Sequence, residues 1–126
     1  MFLEQLNQLL ASRKSFFSDR LNVIAYGVSV FINIIHWLVL FIKIKPGSES
    51  ILLHYNVVYG ADLVEQARFI YLIPLAALVF LVINLILSNY YFDKEKTASV
   101  FLNFATIAVQ MVFFTASIVL VIANQP

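Results

Sequence analysis

Three long apolar runs without any Asp, Glu, Lys or Arg constrain this chain more than any other feature of its sequence. They cover residues 21–42, 69–87 and 98–123. About 20 predominantly apolar residues are enough for a helix to cross the hydrocarbon core of a bilayer. Because lipid offers the backbone no hydrogen-bond partner, such a segment must satisfy its own N–H and C=O groups. We therefore expect three transmembrane helices.

The composition is that of a membrane protein. Apolar residues make up 62% of the 126 residues and charged residues 12%, whereas soluble domains average roughly 45–50% and about 25%. A chain this short buries only about 60–70% of its surface on folding, so the apolar excess must face lipid. The chain has no cysteine, which excludes disulfides and thiolate chemistry. Its net charge of +1 gives no electrostatic footprint for nucleic acid.

The N-terminal segment, residues 1–18, differs from the three runs because its apolar residues recur at helical spacing among polar ones. The apolar positions are Phe2, Leu3, Leu6, Leu9, Leu10, Phe16 and Phe17. This pattern is typical of an amphipathic helix lying in the headgroup region, and the alternative is a helix packed on a partner protein. The predicted fold is an all-α membrane protein, an N-terminal amphipathic interfacial helix followed by a three-transmembrane-helix bundle.

The whole chain, residues 1–126, is predicted to form a single membrane domain. Its segments are the interfacial helix 1–18, the first span 21–42, an outer loop 43–68, the second span 69–87, an inner turn 88–97 and the third span 98–123. Cytoplasmic loops carry an excess of Lys and Arg, and five of these residues lie on the N-terminal side against three on the other. We expect a multi-pass protein of the inner (cytoplasmic) membrane, with the N-terminus cytoplasmic and the C-terminus outside.

The outer loop is the longest segment outside the predicted spans, and it opens with a turn signal at residues 45–48. Residues 51–60 are rich in apolar and aromatic side chains, which is typical of a short strand or of a chain lying along the interface. Residues 61–66 are predicted to start a helix, because Asp62 suits an N-cap and Glu65 follows three residues later. Pro74 lies one turn inside the second span, where a proline can kink a helix.

Each predicted span carries one stripe of polar or small residues on an otherwise apolar surface. At 100° per residue, the stripes of the first and third spans are each within about 60°. The stripes are Asn22, Ser29, Asn33 and His36 in the first span, Ala77, Asn84 and Ser88 in the second, and Ser99, Asn103, Thr106, Gln110 and Ser117 in the third. We expect the stripes to face each other, because an amide left in lipid costs several kcal/mol.

The polar stripes have two interpretations. Hydrogen bonds between helices would make them a structural lock, whereas a polar path would carry an ion, a proton or a small solute. A coupled transporter usually needs an acidic residue at depth, and no span contains one, which favours the lock. The candidates for lining a path are Asn33, His36, Asn84, Asn103 and Gln110.

His36 is the only histidine inside a predicted span. We expect a neutral imidazole that is hydrogen-bonded to another helix or to water near the headgroups. A metal or haem ligand is the alternative, with His54, Asp62 and Glu65 as companions at the outer face. The spacing matches no metal motif, so no metal or other cofactor is predicted. The sequence also lacks a nucleophile–base pair, a P-loop and an H-E-x-x-H motif, so we expect no enzyme.

A set of short motifs runs from the outer loop into the third span. They are Leu53-His54-Tyr55-Asn56, Tyr59-Gly60-x-Asp62, Ile73-Pro74-Leu75, Ile83-Asn84-Leu85-Ile86-Leu87, Asp93-Lys94-Glu95-Lys96 and Gln110. Together they resemble a group of short three-span bacterial membrane proteins with no known activity. The resemblance implies the three-span architecture and transfers no role to any residue. Those relatives tend to carry a bulky aromatic residue after the Asp62 segment, where this chain has Glu65-Gln66-Ala67.

The expected function is that of a small structural or interaction subunit of a membrane assembly. Three helices make a thin core with apolar outer faces, so the expected partners are the lipid bilayer and other membrane subunits or copies of the chain. The outer-loop candidates for recognition are His54, Tyr55, Asn56, Tyr59, Gly60 and Asp62. The alternative is a small homo-oligomeric channel or transporter with a polar path between its helices. Two further alternatives are a haem- or metal-binding electron-transfer anchor and an enzyme acting on lipid.

Overall fold

The computed structural model describes residues 1–44, 51–56, 60–65 and 67–124, and it describes side chains outside 11–15 and 51–67. The elements are α1 (Phe2–Ser18), α2 (Arg20–Lys43), β1 (Ile51–Asn56), β2 (Gly60–Glu65), a 3-10 helix (Ala67–Tyr71), α3 (Leu72–Phe92) and α4 (Lys96–Ala123). Among the described residues, three helical segments are long and apolar enough to span a membrane, Arg20–Lys43, Arg68–Phe92 and Lys96–Ala123. The prediction of a helical membrane protein with an N-terminal helix and three spans is confirmed.

Single residues decide how two of these helices begin. Asp19 alone separates α1 from α2, and its carboxylate accepts a hydrogen bond from the Leu21 N–H at 2.9 Å. This N-cap satisfies one of the free amides at the start of α2. Pro74 is in the first turn of α3, where its missing N–H would have no partner within the helix. For that reason α3 continues unbroken to Phe92.

The connection between α3 and α4 is tighter than the predicted turn over residues 88–97. α3 continues to Phe92 and α4 begins at Lys96. The amides of Lys94 and Glu95 both donate to the Tyr91 carbonyl, at 3.1 and 2.7 Å. These bonds satisfy a carbonyl in the last turn of α3, and the short turn places α3 and α4 side by side.

Within the predicted outer loop, residues 51–56 and 60–65 pair as an antiparallel β-hairpin of β1 and β2. The register pairs Ile51 with Glu65 and Asn56 with Gly60, and it is irregular within β1. β1 contacts α4, so the hairpin lies against the end of the bundle. Of the two alternatives for residues 51–60, the short strand forms over residues 51–56. The turn expected at 45–48 lies outside the described residues.

The predicted helix start over residues 61–66 is wrong, since residues 60–65 form β2. The prediction depended on Asp62 and Glu65, a local capping signal worth about 1 kcal/mol. Pairing with β1 provides partners for the backbone along the whole strand. The helical segment begins instead at Ala67 as a 3-10 helix and becomes α3 at Leu72.

α2, α3 and α4 pack around an interior that is lined largely by polar side chains. The buried residues of α2 and α4 recur mostly at intervals of three and four, as in a left-handed coiled coil. They are Asn22, Ala25, Tyr26, Ser29, Asn33, His36 and Leu40 on α2, and Ser99, Asn103, Thr106, Gln110, Ser117, Leu120 and Val121 on α4. Large apolar residues such as Phe31, Phe101 and Val112 are exposed. The bundle is therefore polar inside and apolar outside, the reverse of a soluble domain.

Apolar clusters close the bundle at both ends. At the end next to α1, which we call the α1 end, Phe16, Tyr26 and Leu81 are buried together. At the opposite end, which we call the hairpin end, the cluster is Leu40, Ile44, Ile70, Leu120 and Val121. Polar side chains fill most of the interior, and at the α1 end they lie beside the apolar cluster, where Asn22 bonds to the Phe16 carbonyl.

Candidate functional site: the polar seam

The candidate site is the set of polar side chains from the predicted stripes, which we call the polar seam. It consists of Asn22, Ser29, Asn33, His36, Asn84, Ser88, Ser99, Asn103, Thr106, Gln110 and Ser117. All of these residues are buried except Asn84, which is half-buried. The three stripes therefore face each other, as expected from the cost of leaving polar groups in lipid.

At the α1 end, two asparagines and two serines connect the helices. Asn22 donates to the Phe16 carbonyl at 2.9 Å, and its amide oxygen accepts from Asn103 at 2.6 Å. The Asn103 amide oxygen accepts from the Ser88 hydroxyl at 2.8 Å, and that hydroxyl is 2.7 Å from the Ser99 hydroxyl. Small residues such as serine let α3 and α4 approach closely. This group of bonds holds the end of α1 and all three spans together.

Between the α1 end and the centre of the seam, Asn84 and Thr106 join α3 to α4. The Asn84 side-chain amide donates to the Thr106 hydroxyl at 3.1 Å. The Tyr26 hydroxyl donates to the Asn84 backbone carbonyl at 3.0 Å, which adds α2 to the contact. The sequence stripes omit Tyr26 because tyrosine counts as apolar. Its place four residues after Asn22 and three before Ser29 is the signal that identifies it as an interior residue.

Asn33 and Gln110 form the centre of the seam. The Asn33 amide donates to Gln110 Oε1 at 3.1 Å and lies 3.2 Å from the Pro74 carbonyl. Gln110 Nε2 donates to the Ala77 carbonyl at 2.7 Å, and the Trp37 indole N–H donates to Asn33 Oδ1 at 3.1 Å. One pair of amides thus bonds to all three spans. Sequence reasoning identifies Trp37 only as an interfacial aromatic and misses this bond.

His36 lies toward the hairpin end, where its imidazole makes one hydrogen bond. Its Nε2 is 2.6 Å from the Ser117 hydroxyl oxygen. The Phe114 ring stands edge-on to the imidazole, with the centroids 5.5 Å apart. His36 and Ser117 are both fully buried, and Nδ1 of His36 has no hydrogen-bond partner among the described residues.

The unpartnered Nδ1 favours one direction for the bond between His36 and Ser117. A neutral imidazole carries one N–H and one bare nitrogen, and orphaned buried N–H groups are rarer than orphaned acceptors. The favoured tautomer therefore has its proton on Nε2, which donates to the Ser117 oxygen. A serine nucleophile needs the opposite arrangement, in which a base accepts the hydroxyl proton. The pair is suited to holding α2 against α4.

The outer-loop candidates belong to the hairpin. The structure places His54, Tyr55 and Asn56 in β1, Gly60 and Asp62 in β2, and Tyr59 outside the described residues. The register pairs Asn56 with Gly60, so these two candidates lie opposite each other in the hairpin. In the part of the chain that is described, no group of three or more His, Cys, Asp or Glu side chains is placed to hold a metal ion.

Sequence reasoning misses an aromatic cluster of Trp37, Phe41 and Tyr71 at the hairpin end. The Trp37 and Tyr71 rings are nearly parallel, at 10° with centroids 6.2 Å apart, and Phe41 is 5.0 Å from Tyr71. The Tyr71 hydroxyl donates to the carbonyls of Leu40 and Ile44 at the end of α2. The cluster therefore fastens the 3-10 helix to α2 and satisfies backbone carbonyls at the end of α2.

Comparisons with known proteins give no relative for this chain. No protein-family model, curated protein or solved structure matches it. The resemblance to short three-span bacterial membrane proteins stays a prediction. The geometry of the chain itself is therefore the ground for a proposed function.

Proposed function

We propose that this chain is a structural or interaction subunit of a membrane assembly. The observation that carries the proposal is that the amides and hydroxyls of the polar seam bond to one another or to backbone carbonyls. A solute path needs polar groups that are free to replace water around the solute. Paired groups instead hold the helices in register. The outward surfaces are then the parts of the protein that act on other molecules.

The hairpin is the surface that we assign to partner recognition. A two-stranded hairpin is only marginally stable alone, and its edges present unpaired N–H and C=O groups to another chain. Support comes from β1, whose contact with α4 fixes the hairpin at one end of the bundle. The candidate residues are His54, Tyr55, Asn56, Tyr59, Gly60 and Asp62. The partners are other membrane subunits or copies of the chain, within the lipid bilayer.

The test is purification of the tagged chain from host membranes, followed by native mass spectrometry of the complex. Joint replacement of His54, Tyr55 and Asp62 by alanine is expected to remove partner subunits while the chain still inserts. Phe101→Ala, at a 72% exposed position on α4, is the matched control and is expected to retain them. Partners that survive the triple replacement would contradict the hairpin as the recognition surface. A strictly monomeric chain without partners would contradict the subunit function itself.

A small homo-oligomeric channel or transporter is the alternative, and the length of the polar seam favours it. Buried polar side chains extend from Ser99 at the α1 end to Ser117 at the hairpin end. The lining residues would be Asn33, His36, Asn84, Asn103 and Gln110. The measurement is flux of protons, common ions and small solutes into liposomes containing the pure protein. Flux that Asn33→Leu abolishes would replace the subunit proposal, and no flux would contradict the channel.

For the orientation, we propose that the α1 end lies in the cytoplasm and that the protein resides in the inner membrane. Arg and Lys residues support this proposal, because cytoplasmic segments carry more of them. The α1 end has Arg13, Lys14, Arg20, Lys94 and Lys96, and the hairpin end has Lys43 and Arg68, with Lys45 two residues after Lys43 in the sequence. A membrane-impermeant maleimide applied to intact cells is expected to label Gln125→Cys and to spare Glu95→Cys. The reverse labelling would contradict the orientation.

A further inference from the structure

α1 is attached to the bundle at its C-terminal end and presents a mostly polar side toward it. Phe16 is fully buried, and its ring packs against Tyr26 and Phe92 with centroids 6.1 and 5.6 Å apart. Further along the helix, a shallow groove separates α1 from the turn after α3. The groove is lined by Gln5, Gln8, Leu9 and Asp93. The contact between α1 and the bundle therefore leaves most of the apolar residues of α1 unused.

Those apolar residues form an exposed face next to the groove side. Phe2 is 75% exposed, Leu3 71%, Leu10 54% and Phe17 55%, and Leu6 at the centre of the face is 40% exposed. At 100° per residue they lie on one side of the helix. A face of this kind requires a covering partner.

Asp19 holds the C-terminal end of α1 close to the start of α2. A single residue between two helices reaches only about 3.5 Å. α2 has 24 residues, or about 36 Å at 1.5 Å per residue, so it begins at or just beyond the edge of a hydrocarbon core of about 30 Å. Asp19 also pairs with Lys96 at the start of α4, at 3.7 Å. The N-terminal half of α1 stays at this same end of the bundle, because Gln5 and Gln8 line the groove together with Asp93. Headgroups meet acyl chains at this level, so lipid is the partner that we assign to the apolar face.

The charge of α1 indicates which property of the lipid matters. Its charged side chains are Glu4, Arg13 and Lys14, and its other polar residues are Ser, Asn and Gln. Helices that bind anionic membranes by charge have a polar face rich in Lys and Arg. Binding here has to come from inserting Leu and Phe side chains, whose burial removes apolar surface from water. Insertion of bulky side chains needs gaps between the headgroups.

We propose that α1 is a binding surface for loosely packed lipid and that it responds to lipid packing rather than to lipid charge. Curved and unsaturated leaflets present such a surface. The hydrogen bond from Asn22 to the Phe16 carbonyl, continued to Asn103, connects this lipid-binding helix to the polar seam. The lipid-binding role of α1 depends neither on the hairpin nor on the subunit function. The lipid-binding role and the subunit function can therefore fail independently.

The test is a spin-label depth measurement on the full-length protein, which has no native cysteine. A nitroxide on Leu6→Cys reports on the exposed face, and one on Gln8→Cys reports on the groove side as the matched control. The protein is reconstituted in dimyristoyl phosphatidylcholine, in dioleoyl phosphatidylcholine, and in the latter with added phosphatidylglycerol. The Leu6 label is expected to collide with oxygen and to be shielded from a water-soluble nickel complex, most strongly in the dioleoyl lipid. Adding phosphatidylglycerol is expected to leave the oxygen and nickel accessibilities of the Leu6 label unchanged. The Gln8 label is expected to stay accessible to nickel.

The joint replacement Leu3→Gln and Leu10→Gln tests the origin of this binding. It is expected to lower the ratio of inserted to free α1 at least about tenfold. A tenfold change corresponds to about 1.4 kcal/mol, and the burial of a single leucine contributes more than that. A Leu6 label that nickel reaches in every lipid would overturn the proposal. Insertion that requires phosphatidylglycerol would overturn the packing dependence. Dipolar broadening that grows with the protein-to-lipid ratio would show that a second copy covers the face, and it would also overturn the proposal.

Discussion

The two ends of the bundle are held together by different kinds of contact. At the α1 end, Asn22, Asn103, Ser88 and Ser99 form a continuous chain of hydrogen bonds between all three spans. At the hairpin end, the described part of the seam forms one hydrogen bond, which joins His36 to Ser117. Apolar and aromatic packing predominates there, with Leu40, Ile44, Ile70, Leu120 and Val121 as the buried cluster. The Tyr71 hydroxyl adds hydrogen bonds to two backbone carbonyls at the end of α2.

This difference separates two requirements of a membrane bundle, which are close packing of its helices and a fixed register between them. Lipid tails are as apolar as leucine, so apolar contacts between helices in a bilayer gain only packing and no hydrophobic driving force. Hydrogen bonds are directional and so favour one register, and they are concentrated between the α1 end and the centre of the seam. In a connected network, the loss of one partner leaves another buried group unsatisfied. We expect the α1 end to be sensitive to single replacements and the hairpin end to tolerate paired ones.

The largest effect is expected for Phe16→Ala, which removes the buried anchor of α1. Replacing a fully buried phenylalanine typically costs about 3–5 kcal/mol, enough to release α1 from the bundle. Phe17→Ala is the matched control, because Phe17 is exposed and adjacent. Spin labels on Gln8→Cys and Lys94→Cys report the distance across the groove. The distribution is expected to broaden with Phe16→Ala and to stay narrow with Phe17→Ala, and a narrow distribution in both would contradict Phe16 as the anchor.

The next effect is expected for Asn103→Leu, which breaks the network at the α1 end. The replacement leaves the Asn22 amide oxygen without its partner and removes an acceptor from Ser88. A buried unsatisfied group costs about 1–3 kcal/mol. Reversible unfolding in mixed micelles measures the loss, with Phe104→Leu on the exposed side of α4 as the control. Equal stability of the two variants would show that the hydrogen bonds of the α1 end do not carry the register.

The polar seam could be predicted from the sequence for a simple reason. An intramembrane amide cannot remain in lipid, so helical periodicity alone determines which side of each span is buried. Asn33, Asn103 and Gln110 follow this rule, and each is buried against another span. The individual bonds do not follow from periodicity, because they depend on the offset between helices that are far apart in the chain.

The hairpin and the tyrosine contacts lie beyond that kind of reasoning. β2 forms because it pairs with β1, and the local signals at Asp62 and Glu65 favour a helix instead. Tyr26 and Tyr71 act through hydroxyl groups at the end of otherwise apolar rings, so a binary division into apolar and polar residues hides them. In both cases the deciding partner is a backbone group in another element.

The smallest effect is expected at the hairpin end, for the joint replacement His36→Leu and Ser117→Ala. Ser117→Ala alone leaves the buried imidazole without any partner among the described residues and is expected to cost about 1–3 kcal/mol. Replacing both residues removes the donor, the acceptor and the unpartnered Nδ1 together, and apolar replacement of both partners is often nearly neutral. The same unfolding measurement is thus expected to find the double variant more stable than Ser117→Ala. The contrary outcome is a double variant whose loss of stability equals the sum of the losses of Ser117→Ala and His36→Leu measured separately. His36 would then be coupled to groups other than Ser117, and the hairpin end would be as networked as the α1 end.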